Sequence, residues 1–137
     1  MITHVNPDDL ATPSGFSHAV RADGVTVYLA GQTALDADGK VIDGGVVEQF
    51  ERCLTNLLTA LRAAGGEPEH LVSLTIYIVD MDDYKRHARE IGRVWRRLVG
   101  TTYPATAGIG VARLWDVEAS VELQGVACLP RESKAQR

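Results

Sequence analysis

Residues Leu71 to Val79 read Leu-Val-Ser-Leu-Thr-Ile-Tyr-Ile-Val, and this run constrains the fold more than any other. It is rich in β-branched residues and alternates, as a strand on a pleated surface does. A helical pattern lies on each side of it. Upstream, Val47, Phe50, Leu54, Leu57, Leu58 and Leu61 recur at three- and four-residue steps and form one apolar face over Val46 to Ala64. Downstream, Tyr84, Ala88, Ile91, Val94, Trp95 and Leu98 form a second stripe. A strand set between two such helices belongs inside a sheet that the helices cover.

Punctuation residues bound these elements. Gly44-Gly45 breaks the chain before the first helix and Gly65-Gly66 stops it, since glycine accepts the left-handed backbone at a helix end. Asp80 is placed to cap the second helix, with Asp82 and Asp83 in the first turn, where negative charge suits the dipole. Gly100 ends it. Val25 to Ala30 reads as a strand, with Ser17 to Arg21 as its hairpin partner turned at Ala22-Asp23-Gly24. Asp36-Ala37-Asp38-Gly39 is a second turn. Ala107 to Arg113 and Ala119 to Cys128 read as the last two strands.

The order β-β-α-β-α-β-β predicts an α+β layer, a mixed sheet with two helices on one face. At 137 residues the chain is expected to form one domain spanning 1–137, with 1–12 and the polar tail 130–137 loosely ordered. Nothing in the pattern covers the second face of the sheet, so self-association is expected.

Composition narrows the function classes. The net charge of −4 gives no global basic field for nucleic acid. Apolar runs fall far short of the ~20 residues that cross a bilayer. The opening residues lack a basic-then-apolar signal, so a cytoplasmic location is expected. Cys53 and Cys128 have no metal-type spacing and no sequence neighbour that would lower a thiol pKa, so both read as reduced thiols. His4, His70 and His87 lack ligand spacing, and no metal is predicted. Lys85, Arg86, Arg89, Arg93, Arg96 and Arg97 lie off the second apolar stripe and read as a solvated helix face. Phosphate contact through that ribbon is the minor alternative.

Six segments carry a resemblance. Tyr103-Pro104-Ala105-Thr106-Ala107-Gly108-Ile109-Gly110-Val111-Ala112-Arg113-Leu114 resembles the Pro-Ala-Arg-Ser-x-Val-x-Val-Ala-Arg-Leu signature of the RidA (YjgF) family. Ser14 to Val20 resembles its Gly-Pro-Tyr-Ser-Gln-Ala-Val, and Tyr28 to Gln32 its Val-Ser-Gly-Gln. Asn56 to Gly65, Thr75 to Tyr84 and Val121 to Gln124 resemble three further family segments in the same order.

The resemblance implies a chorismate-mutase-like fold, a barrel-forming homotrimer with helices outside and clefts between neighbouring subunits. It implies hydrolysis of reactive imines and enamines to 2-keto acids and ammonia, as in a deaminase, with no cofactor and no metal. An imine carbon is already electrophilic. The site has to hold the substrate, polarise the C=N bond and position a water. Glu122 stands at the family's glutamate and is the expected water-positioning base; a solvated or interface glutamate is the plainer alternative. Gly31 and Gly108 are expected backbone donors at the ligand, or else sites of tight packing.

The departures fall on the expected pocket. Phe16 replaces a tyrosine, Ala30 a serine, Ala88 an asparagine and Thr106 the carboxylate-binding arginine, while Gly108 replaces a small polar residue or cysteine. The expected wall is therefore less polar and has no fixed cation; strand alternation turns Arg113 away from Thr106. Activity on the imine of a simple amino acid is expected to be weak or absent. His18, two residues from Phe16, is a further candidate acid or base, or else an interface histidine. Trp115 is a candidate cleft rim or subunit contact. A non-catalytic trimer that binds a small metabolite is the alternative reading; an RNA-binding, ribonuclease-type translation inhibitor is the lesser one.

Overall fold

A computed structural model describes residues 1–131. Its strands are β1 (Ile2–Val5), β2 (Ala19–Ala22), β3 (Val25–Gln32), β4 (Leu71–Ile78), β5 (Ala105–Gly110) and β6 (Val121–Leu129). Its α-helices are α1 (Val46–Ala63), α2 (Met81–Arg86) and α3 (Ala88–Leu98), and a 3-10 turn at Pro68–His70 leads into β4. The main sheet has the order β3-β6-β4-β5. β4 runs parallel to β5 and antiparallel to β6, so the sheet is mixed and β4 is internal, as expected.

The core forms because two periodicities meet. Leu54, Leu57 and Leu61 recur along α1 and are fully buried against Val121, Leu123 and Ala127, the alternate residues of β6. Each such leucine contributes roughly 1.5–3 kcal/mol of burial. By the same alternation Glu122, Gln124 and Val126 point to the other sheet face, which no α-helix among the described residues covers. Tyr28 of β3 and Ile109 of β5 stand exposed there, at 81% and 43%. The α+β layer with helices on one face is thus as expected.

The helix boundaries follow the expected punctuation. The Asp80 side chain accepts a hydrogen bond from the Asp83 backbone N–H at 3.0 Å. Gly65 and Gly100 close α1 and α3 with φ of 96° and 111°. Asp80→Ala should cost about 1 kcal/mol, read as a lower urea midpoint at unchanged slope.

Several assignments differ from expectation; β3 runs on to Gln32 and β6 begins at Val121 rather than Ala119. The predicted second helix is two helices, because the backbone leaves the helical region at His87 (φ −105°, ψ 14°), where the ring nitrogen also bonds the Asp83 carbonyl at 2.8 Å. Ser17 to Arg21 is not the hairpin partner of β3; β2 pairs antiparallel with β1 instead. The Asp-Gly signal misled because Gly24 does not take a positive φ. A Cβ at Gly24 would collide with the Leu129 carbonyl, so glycine serves close packing there. Ile2–Val5 is accordingly a strand within the stretch expected to be loose. β5 starts and ends earlier than Ala107–Arg113; its parallel partner β4 ends at Ile78, whose carbonyl accepts from the Val111 N–H at 2.9 Å. Most of the 130–137 tail lies outside the described residues. No helix among the described residues is long and apolar enough to cross a membrane.

Candidate functional site

Most candidate residues fall into two groups on opposite faces of the sheet, with Phe16, His18 and Trp115 outside both. Thr106 pairs in register with Leu74, and Gly108 with Ile76, so both belong to the helix-covered face. Between that face and the helices lies a cavity of about 480 Å³, lined by Leu74, Ile76 and Thr106 below and by Tyr84, Ala88, Ile91 and Trp95 above. Ala88 and Thr106 are therefore brought together. Gly108 lies beside the cavity rather than in its wall; a Cβ there would meet only the Ile78 side chain, at 3.7 Å.

The second group gathers on the open face. A Cβ on Gly31 would fall 2.9 Å from Oε2 of Glu122, so the carboxylate lies against the glycine backbone. Ala30 precedes it where β3 and β6 slip register between Leu29 and Gln32. Glu122 pairs with Tyr77 of β4, whose hydroxyl donates to Gln124 at 3.0 Å. Thr106 is two strand spacings from β6, about 10 Å, and on the other face. A single chain does not bring Glu122 and Thr106 together.

Phe16 and His18 lie at the β5 side, in a shallow hollow of about 370 Å³ with Ser73, Thr75, Ala105 and Ala107, which Thr106 also borders. They are held there by Ser17, whose hydroxyl donates to the Tyr103 carbonyl at 2.6 Å. The two rings meet edge to face at 5.1 Å. His18 Nε2 donates to the Ala11 carbonyl at 2.7 Å, and its backbone N–H donates to Asn6 at 2.8 Å. Those bonds hold residues 6–11 in place, a structural use of the ring. Trp115 is 90% exposed in the loop between β5 and β6.

Neither Thr106 nor Arg113 offers a free group to the cavity, whereas Arg89 and Arg96 depart from expectation. The Thr106 hydroxyl donates to the Pro104 carbonyl at 2.9 Å, so its hydrogen is not free for a ligand. Arg113 lies beyond β5 and donates to the carbonyls of Leu114 and Trp115. The expectation of a wall without a cation is overturned, however, because Arg89 and Arg96 line the same cavity as Thr106. The basic ribbon is thus divided. Arg86 pairs with Asp83 and Arg97 with Glu51, while Arg89 and Arg96 border the hollow. The signal available in sequence was Gly92, a glycine inside a helix between these two arginines.

Neither cysteine is poised for chemistry. Burial first, and then the nearby Glu122 charge, push the Cys53 thiol up to about 12. Cys53 should therefore resist iodoacetamide at pH 8 in the native protein and react in urea, with mass spectrometry as the readout. Burial likewise pushes the Tyr84 phenol up to about 12, so it lines the cavity as a neutral donor. Among the described residues no group of three or more His, Cys, Asp and Glu side chains could hold a metal ion.

A mixed four-stranded sheet, with α-helices on one face only among the described residues and a glutamate against a glycine on the other, defines a small α+β protein. The chain belongs to the RidA (YjgF) family: the pattern described as endoribonuclease L-PSP matches residues 7–129. It is 32% identical over 109 residues to the mitochondrial protein mmf1 of Schizosaccharomyces pombe, covering 80% of this chain and 64% of that one. It is 33% identical over 113 residues to the 2-iminobutanoate/2-iminopropanoate deaminase of Capra hircus, covering 82% and 78%. Among solved structures, YyfB of Yersinia pestis, a Rid family protein of unknown function, superimposes with a TM-score of 0.83 at 33% identity, covering 93% of this chain and 98% of that one.

Proposed function

We propose that this protein hydrolyses reactive imines or enamines, as a cytoplasmic homotrimer whose sites are completed between neighbouring chains. The observation that carries the reading is the Glu122 carboxylate lying against Gly31 on the sheet face that no α-helix among the described residues covers. The deaminase named above lends support by similarity. A second chain laid over the open face would bring the Thr106 and Ala88 half-site of one copy toward the Glu122 and Gly31 half-site of another.

The chemistry asks little of such a site. Glu122 accepts a proton from a water as the oxygen attacks the C=N carbon. Protonation of the nitrogen and collapse of the tetrahedral adduct then release ammonia and leave a carbonyl. Water supplies the oxygen, so no redox partner enters the balance. Gly31, which has no side chain of its own, lets the Glu122 carboxylate and the adduct come close to the β3 backbone.

With threonine at 106, the shortest imino acid loses its strand-borne clamp. Losing a charge-assisted pair of that kind costs ~2–5 kcal/mol. Turnover of freshly generated 2-iminopropanoate, read as ammonia and keto acid, should fall more than tenfold below that of the goat deaminase. Equal turnover would contradict the reading. Light scattering should give three times the chain mass; a stable monomer would remove the shared site.

One observation favours a second reading, a trimer that binds a metabolite without turning it over. The residues lining the 480 Å³ cavity include no carboxylate and no histidine. Saturable thermal stabilisation by keto acids, with no imine consumed by wild type, would establish that reading instead.

A further inference from the structure

The cavity beneath the helices carries a pair of cations that the hydrolytic step leaves unused. Arg89 and Arg96 are seven residues apart on α3, two helical turns, and so share one side of it. Gly92 lies between them, and all three line the cavity that contains Thr106. Among the described residues neither arginine enters an ion pair, although Arg86 and Arg97 nearby do. A Cβ on Gly92 would meet nothing within 4 Å, so the space is open where the glycine sits.

The inner wall is apolar and aromatic. Trp95 stacks on Tyr103 with ring centroids 6.2 Å apart and planes 15° from parallel. The Trp95 N–H is already committed to the Thr102 carbonyl at 3.2 Å, and the Thr106 hydroxyl to Pro104. The guanidinium groups are left as donors for an anion. About 480 Å³ falls within the roughly 300–1,000 Å³ typical of small-molecule sites.

We infer that this cavity binds a carboxylate with an aromatic or branched apolar body, the acid held at the mouth by Arg89 and Arg96 and the body lying on Trp95 and Tyr103. This rests on, and deepens, the reading of the protein as an imine hydrolase. The positive group has moved from strand β5 to helix α3, and the substrate class becomes imino acids with bulky side chains. A guanidinium suits the role because it offers parallel N–H donors to both carboxylate oxygens.

Calorimetric titration of the full chain with phenylacetate, phenylacetamide and acetate tests this. Phenylacetate should bind about tenfold more tightly than either, since only it has both charge and ring. In the Arg89→Gln/Arg96→Gln protein, whose two changes lie on an exposed helix surface, the acid should fall to the level of the amide. Gly92→Leu should fill the space and abolish binding of both aromatic ligands while the helix gains stability, glycine being about 1 kcal/mol poorer than the best helix formers. No binding of phenylacetate, equal affinity for acid and amide in wild type, a preference surviving the double substitution, or unaltered binding by Gly92→Leu would each overturn the inference. If the acid preference holds and follows the arginines while no imine is hydrolysed, the hydrolase reading fails and the anion clamp stands.

Discussion

Glu122→Gln should lower imine turnover by about 10²- to 10³-fold and leave the melting temperature almost unchanged, because a positioned general base contributes on that order. The substitution keeps the shape of the side chain and removes only its basicity. Glu122 is half-buried on the open face, so its charge is not holding the core together. Gly31→Ala offers an independent route to the same loss. The new methyl would sit 2.9 Å from the carboxylate, and the flexible side chain would swing aside rather than the sheet. Turnover should fall with the fold retained. Initial rates of ammonia release, alongside thermal melts, measure both. If Glu122→Gln kept the wild-type rate, this carboxylate would have no part in the reaction.

Leu57→Ala should destabilise the protein by about 3 kcal/mol, the usual cost of a buried leucine lost from a packed core. Leu57 is fully buried on α1 and faces β6, where its Cδ2 would stand 3.6 Å from a Cβ on Gly125. The contact joins the helix to an inner strand, so little nearby can collapse to fill the space. For a chain of this size that loss lowers the melting temperature by roughly 10 °C. Leu10→Ala, at a position 51% exposed, should change it by less than about 2 °C. Equal effects at the two positions would contradict the assigned core.

The two periodicities that build the core are visible in the chain itself. Leu54, Leu57 and Leu61 define the buried helix face, and Val121 and Leu123 the buried strand face, because burial imposes a spacing that residue types report directly. Pairing partners are harder to read. The Asp23-Gly24 dipeptide looks like a hairpin turn, yet Gly24 is there to let the Leu129 carbonyl approach, a contact with a strand more than a hundred residues away. A local signal cannot distinguish a glycine chosen for φ from one chosen for space.

The half-sites were legible to different degrees for the same reason. The resemblance assigns Glu122, Gly31, Thr106 and Ala88 to one pocket; that a single chain sets Glu122 beside Gly31 and Thr106 near Ala88 depends on strand neighbours that the sequence does not name. The arginines are not so assigned. Arg89 and Arg96 lie off the apolar stripe, where a solvated face is the ordinary outcome, and only the gap left by Gly92 puts them at a cavity mouth. A helical-wheel pattern reports which side faces the core; it does not report where the packing leaves a hole.

Subunit mixing tests the central claim most directly. Glu122→Gln chains have an intact helix-side half-site, and Gly92→Leu chains an intact open-face half-site. Each protein alone should hydrolyse bulky imino acids poorly. Unfolded together in equal amounts and refolded, they should recover about a quarter of the wild-type rate, since each half-site is intact in half the chains and the two come from neighbours. A mixture no more active than its parents, with wild type surviving the same refolding, would show that the two half-sites do not cooperate across a subunit boundary.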